Sequence, residues 1–351
     1  MNRKTLLRVG WLSVVIIVLC FPLKAQPQEN KKLAQTGMKF LNVGMSARQG
    51  GLADAFTAAD GYSASMFYNV AGMAHLESFA DVSVGYVQWI ADIKHLYGAV
   101  ALRPFDGLYG VIGFTIQSVD YGVVEATILA RNTKGYLDIG TYKPSAYALG
   151  ISYARALSDK FSVGGSIKFV YQDLASGVVN ASYTKNVLNE DSTYTPVREI
   201  TSVLDVPAFD FGMLYRTGYK SLTLGVTIRN FSREVAYIQE SFQLPLTFRI
   251  GLSMNVLDLA EMDPASHSLF VLVDAEHPRD YPEQLKFGAE YLFSQTLALR
   301  LGYIFPADEH GLSLGVGLQQ SLVGASMGVD YAYTPFGIFT SVHRVSLRFA
   351  L

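Results

Sequence analysis

Segments in which apolar residues alternate with polar or small ones recur along nearly the whole chain, and this pattern limits its fold more than any other feature. In "FSVGGSIKFVYQD", Phe161, Val163, Ile167, Phe169 and Tyr171 share one face of an extended strand, with Ser162, Gly164, Ser166, Lys168 and Gln172 on the other. Successive strand side chains point to opposite faces, so one face suits lipid and the other water. The alternation returns over residues 147–153, 209–215, 222–228, 246–254, 285–293, 297–305, 312–318 and 325–333. It closes the sequence in "HRVSLRFAL", where Val345, Leu347, Phe349 and Leu351 oppose Arg344, Ser346 and Arg348. Adding weaker segments near 82–88, 95–103, 108–117 and 269–273 predicts about fourteen strands.

A strand of ten residues is roughly 33 Å long, and tilted by about 40° it rises about 25 Å, the height of the apolar band of an outer-membrane barrel. Phe161 and Tyr171 close their segment with aromatic rings, as interface girdles do. A soluble sandwich would carry more Lys, Glu and Thr and less Gly on its solvent face. The connections agree with the barrel: "SDK", "TGYK" and "SQT" are tight, whereas 119–144, 173–205 and 230–245 are long and polar, and short and long alternate with strand parity. The expected fold is therefore all-β, a transmembrane barrel of about fourteen antiparallel strands over residues 81–351. The last strand would close against the first and leave no open edge to lipid.

At the amino terminus, Arg3, Lys4 and Arg8 precede an apolar run from Val9 to Leu19, and Leu23-Lys24-Ala25 offers a cleavage site, so residues 1–25 read as a secretory signal peptide. Cys20 is the only cysteine, which leaves the mature chain without disulfide or thiolate chemistry. Lys and Arg number 28 against 30 Asp and Glu, so there is no electrostatic case for a nucleic-acid partner. No Gly-x-Ser-x-Gly elbow, phosphate loop or metal-ligand spacing is present, and neither enzyme activity, a metal nor a cofactor is expected. The cluster "DAEH", Asp274 to His277, pairs carboxylates with a histidine, but its place at a strand end predicts a solvated external loop.

Residues 26–80 form an amino-terminal extension and plug segment, of which 36–80 do not alternate. From 36 onward they are rich in Gly, Ala and Ser, which suits tight turns and short helices packed inside a barrel as a plug. The stretch "ARQGGLADAFTAADGYSASMFYNVAGMA" resembles the amino-terminal signature of the PorV/PorQ family and, more remotely, of FadL-type hydrocarbon transporters. Both families place a Tyr-Asn-Pro-Ala-Gly motif before the first strand. Here Tyr68, Asn69 and Gly72 match it and Val70 replaces the proline.

The resemblance implies a fourteen-stranded outer-membrane barrel with its amino-terminal segment in the lumen. Proteins similar to PorV act in type IX secretion, binding carboxyl-terminal signal domains of cargo and docking to translocon or attachment subunits, which together with membrane lipid would be the partners. FadL-like proteins instead admit hydrophobic molecules sideways, at a strand kink.

On the polar faces of the expected strands lie Lys168, Asp210, Arg249, Glu290, Arg300 and Asp330, read as plug-anchoring ion pairs or, alternatively, a solute path. Tyr136, Tyr142, Tyr183 and Tyr194 fall in long loops and are candidate partner contacts.

Overall fold

The computed structural model of the chain describes residues 36–129, 133–178, 199–237, 239–307, 310–322 and 324–351. The expected leader and two of the four loop tyrosines, Tyr183 and Tyr194, lie outside the described residues.

In chain order the strands are β1 (Ala80–Gln88), β2 (Lys94–Leu102), β3 (Val111–Asp120), β4 (Val124–Leu129), β5 (Tyr136–Tyr142), β6 (Ser145–Ala156), β7 (Phe161–Val178), β8 (Glu199–Arg216) and β9 (Thr223–Phe231). There follow β10 (Val235–Ala236), β11 (Ser241–Phe242), β12 (Thr247–Asn255), β13 (His267–Pro278), β14 (Gln284–Phe293), β15 (Leu297–Phe305), β16 (Leu312–Leu322), β17 (Ala325–Phe336) and β18 (Phe339–Ala350). Fourteen of these close into one antiparallel barrel, and β4–β5 and β10–β11 form separate hairpins in the long loops. A hairpin thus stands where the sequence predicts only a polar loop, between β3 and β6.

β18 pairs with β1 from Asp81 opposite Ala350 to Gln88 opposite His343. Beyond the ladder, Ala80 N–H donates to the Leu351 carbonyl at 3.1 Å and Leu351 N–H returns the bond to Ala80 at 2.9 Å. The final alternating segment therefore ends on the seam that closes the wall. Its apolar residues Val345, Leu347, Phe349 and Leu351 are exposed outward, as are Ile151, Ile167, Phe211 and Leu299 on other strands, while Arg344 and Ser346 are buried on the inner face. An outward surface this apolar is stable only against lipid.

Both ends of the barrel sequence lie at the rim with tight turns, such as 157–160 and 294–296. The long connections 121–144 and 232–246 leave from the opposite rim, the one at which β7 ends and β8 begins.

Residues 36–79 occupy the lumen as short turns of helix, at Lys39–Asn42, Ala47–Gly50, Ser63–Phe67 and Val70–His75. The segment enters at the long-loop rim, where Thr36 bridges Gln243, and reaches the tight-turn rim at Phe79, whose carbonyl accepts from Arg103 N–H. Leu52, Ala55, Phe56, Tyr68 and Met73 are at most 1% exposed. A segment this polar in outline can be this buried because the wall gives it hydrogen-bond partners on every side.

Candidate functional site in the plugged lumen

The matched motif joins plug to wall. The Asn69 side chain accepts from Ala71 N–H at 3.1 Å, capping the short helix Val70–His75. Its amide nitrogen donates to the Thr57 carbonyl at 2.7 Å and to the Met213 carbonyl of β8 at 3.1 Å. One side chain thus caps a helix, ties two plug turns together and fastens them to a strand. Tyr68 is buried edge-on to Phe56 and donates to Asp54 at 2.8 Å. Burial opposes ionising Asp54, but Arg344, Lys286, Arg249 and the Tyr68 hydroxyl outweigh it and hold the carboxyl below its ordinary range. Gly72 packs so closely that a Cβ would lie 2.9 Å from the Ala59 carbonyl oxygen. On the wall, a Cβ at Gly164 would lie 2.8 Å from the plug backbone at Val70–Ala71, so the small inward residues of β7 serve close approach.

All six lumen charges read from the sequence face inward and are substantially buried, in three groups. Glu290 accepts from Arg300 at 2.6 Å and from Arg48 of the plug through two bonds, at 2.6 and 2.8 Å; Arg300 also pairs with Asp330 at 2.6 Å. Arg249 pairs with Glu276 at 3.0 Å, and Lys286 pairs with the same carboxylate. Lys168 pairs with Asp210 at 2.8 Å.

The plug's own cation Arg48 and the acceptors Asp81, Asp274 and Glu276 escaped the sequence reading. The clue to the last two was parity: both fall on the polar face of β13. "DAEH" is no solvated loop, because β13 continues to Pro278 and buries Asp274 and Glu276 in the lumen. Asp274 accepts from Phe56 N–H, Thr57 N–H and the Thr57 hydroxyl at 3.0, 3.0 and 2.6 Å. Of the three ionisable residues of the cluster only His277 is exposed, paired with Glu283. Among the described residues no cluster of His, Cys, Asp and Glu has the geometry to hold a metal.

The β8–β9 ladder carries a one-residue bulge close to the long-loop rim. Its register shifts by one between Phe209 and Phe211, and the pairing ends at Phe209–Phe231, although β8 continues against β7 up to Glu199. The extra residue lies in β9, where Asn230 takes a left-handed conformation (φ 60°) and donates its backbone N–H to the Asp210 side chain at 2.8 Å. A buried carboxylate, neutralised by Lys168, replaces the missing ladder acceptor. Pro207 lies in the part of β8 left without a β9 partner, where a residue lacking an N–H disturbs no ladder on that side. Behind the bulge, Phe40 and Leu41 of the plug pack with Val170, Val206, Ala208 and Leu244 in an apolar cluster under the long-loop rim.

Of the candidate partner tyrosines, Tyr136 is exposed at 44% on β5 and Tyr142 is half-buried at the end of the same strand.

No protein-family model matches the chain, and no curated protein matches it by sequence. Solved structures match it by shape. The CymD monoaromatic hydrocarbon channel superposes with a TM-score of 0.56 at 12% identity, over 88% of this chain and 97% of that one. A Pseudomonas aeruginosa FadL homologue gives 0.50 at 14%, over 87% and 97%, and the Pseudomonas putida toluene transporter TodX 0.52 at 12%, over 85% and 96%. The chain has the fold of the FadL-type barrels. At these identities the likeness is one of architecture.

Proposed function

We propose that this protein is an outer-membrane barrel that admits hydrophobic small molecules, with the apolar cluster under the long-loop rim as their first station and the β8–β9 bulge as the entry from lipid. The observation that carries this reading is the bulge itself: in the half of the barrel bearing the long loops the β8–β9 ladder is displaced by one residue and ends at Phe209–Phe231, beside Val206 and Ala208 of the apolar cluster. The outer leaflet is where an apolar molecule would accumulate, and a side entry spares it the water-filled route. Similarity in fold to a monoaromatic hydrocarbon channel and a toluene transporter supports the reading. The tight-turn rim then faces the periplasm.

The test is uptake of labelled toluene by cells carrying the intact chain, a chain lacking Asn230, or none. Deleting Asn230 removes the extra residue and lets the ladder run through. Uptake should depend on the protein and fall sharply with the deletion; uptake equal in all three strains would overturn the reading.

A second reading, export or surface attachment of the PorV/PorQ type, is favoured by a different observation. β7 and β8 are 18 residues each, well beyond the nine to twelve of the other barrel strands, and carry exposed Leu174 and Val203 past the wall. Co-purification from native membranes of a large translocon barrel, or of proteins sharing a carboxyl-terminal signal domain, would establish it; recovery of the barrel alone would remove it.

A further inference from the structure

Two cavities lie between plug and wall at the tight-turn rim. One, of about 550 Å³, is walled by Leu52, Phe56, Phe270, Leu272 and Leu292 and is largely apolar. The other, of about 430 Å³, is walled by polar groups including His75, Ser78, Gln319, Ser321 and Ser326. They share Asp60, Tyr62, Arg216 and Gln295 and so meet along the plug turn 60–62. That turn is firmly held: the Tyr62 ring lies between the guanidinium groups of Arg48 and Arg348, 4.0 and 3.9 Å from its centroid, and Asp60 pairs with Arg216 at 2.7 Å.

The charges of this chamber are largely committed. Arg48 belongs to Glu290, Arg348 to Asp81, Arg216 to Asp60 and Asp330 to Arg300. Of the remaining lining charges, Lys220 on its exposed turn stands against Glu77 and Asp258, a small negative excess that disfavours an anion. The uncommitted groups are neutral. His75 Nε2 and Ser78 Oγ are buried without a hydrogen-bond partner, and Gln319, Ser321 and Ser326 present side chains that bond to nothing in the described protein. Burial and the neighbouring Arg216, only partly offset by Asp60, lower the His75 pKa and keep its ring uncharged at neutral pH. The Gln319, Ser321 and Ser326 side chains thus offer unused donors and acceptors on the wall of one cavity beside an apolar one.

We propose that this chamber is a binding site, open toward the periplasm, for an uncharged amphipathic molecule. Its apolar body would lie against Phe56, Phe270 and Leu272, and a hydroxyl or amide head would reach Gln319, Ser321 and Ser326. The proposal deepens the transport reading and rests on it only for the route by which the ligand arrives; binding can be measured with no transport at all.

The experiment uses the full chain in nanodiscs, with Cys20 replaced by serine and a reporter cysteine at Ala59→Cys in the apolar half. Thr223→Cys serves as a second reporter on the wall should the first perturb folding. Maleimide labelling is followed with octane, 1-octanol or octanoate, which share one chain length and differ in the head. Octanol should slow labelling about tenfold at saturation, and Gln319→Ala with Ser326→Ala should raise the concentration needed for half-protection by about tenfold, the size of two lost hydrogen bonds. Equal protection by octane would reduce the chamber to an apolar hole, and stronger protection by octanoate would make it an anion site. Protection insensitive to the double variant, or absent for all three probes, would overturn the proposal. Failure of toluene uptake with octanol protection intact would sink the transport reading alone.

Discussion

Arg48 of the plug and Glu290 of β14 meet through two hydrogen bonds, at 2.6 and 2.8 Å, and the same carboxylate accepts from Arg300 at 2.6 Å. One wall carboxylate thus balances a cation of the plug and a cation of the wall, at 1% exposure. Glu290→Ala would leave both guanidinium groups short of a partner in the interior, at a cost of about 3–5 kcal/mol. Denaturant unfolding in detergent should show that loss. An unchanged midpoint would mean the triad contributes nothing to plug attachment.

Asn69→Ala removes the cap on Ala71 N–H and the donor to the Thr57 and Met213 carbonyls, so it should destabilise by about 2–3 kcal/mol. Val70→Pro, by contrast, should be tolerated within about 1 kcal/mol, although Val70 is buried. Val70 opens the short helix, its N–H donates to no backbone group, and Asn69 before it is already extended (φ −144°, ψ 111°), as a residue preceding proline must be. Comparing the two midpoints checks both statements.

Gly164→Ala forces a Cβ to within 2.8 Å of the Val70–Ala71 backbone, where neither wall nor plug can yield by a rotamer change. A loss of about 1–3 kcal/mol is expected. Gly165→Ala, one residue on, has only ordinary contacts at 3.6 Å and beyond and serves as the control.

His310 stacks on Phe336 with centroids 4.3 Å apart and rings 12° from parallel, beneath the long-loop rim. Burial, then Lys286 and Arg344, lower its pKa to about 4 against the opposing pull of Asp54. The unfolded chain therefore takes up the proton first, near 6.5. The stabilisation from neutral His310 is complete above that value and is lost as pH falls toward 4. The stability difference between the natural chain and His310→Phe should change over this window and be flat above it; NMR titration of the imidazole supplies the pKa directly.

The wall was legible in the local residue pattern. A period of two, repeated about fourteen times with small residues on the lumen face, is an intrinsic property of each segment, because strand geometry alone assigns neighbours to opposite faces. Parity likewise placed Lys168, Asp210, Arg249, Glu290, Arg300 and Asp330 inside before any partner was known. Tertiary structure alone decided the pairing: Glu290 with Arg48, Thr57 with Asp274 and Asn69 with the Met213 carbonyl are 242, 217 and 144 residues apart, and no local rule connects them. The burial of Asp274 and Glu276 was decided in the same way, since the end of β13 is set by its ladders with β12 and β14 and not by its own charges. The bulge beside Asn230 belongs here too. A one-residue shift exists only between two strands, and Asp210, which completes it, looks in sequence like any other charge on a polar face.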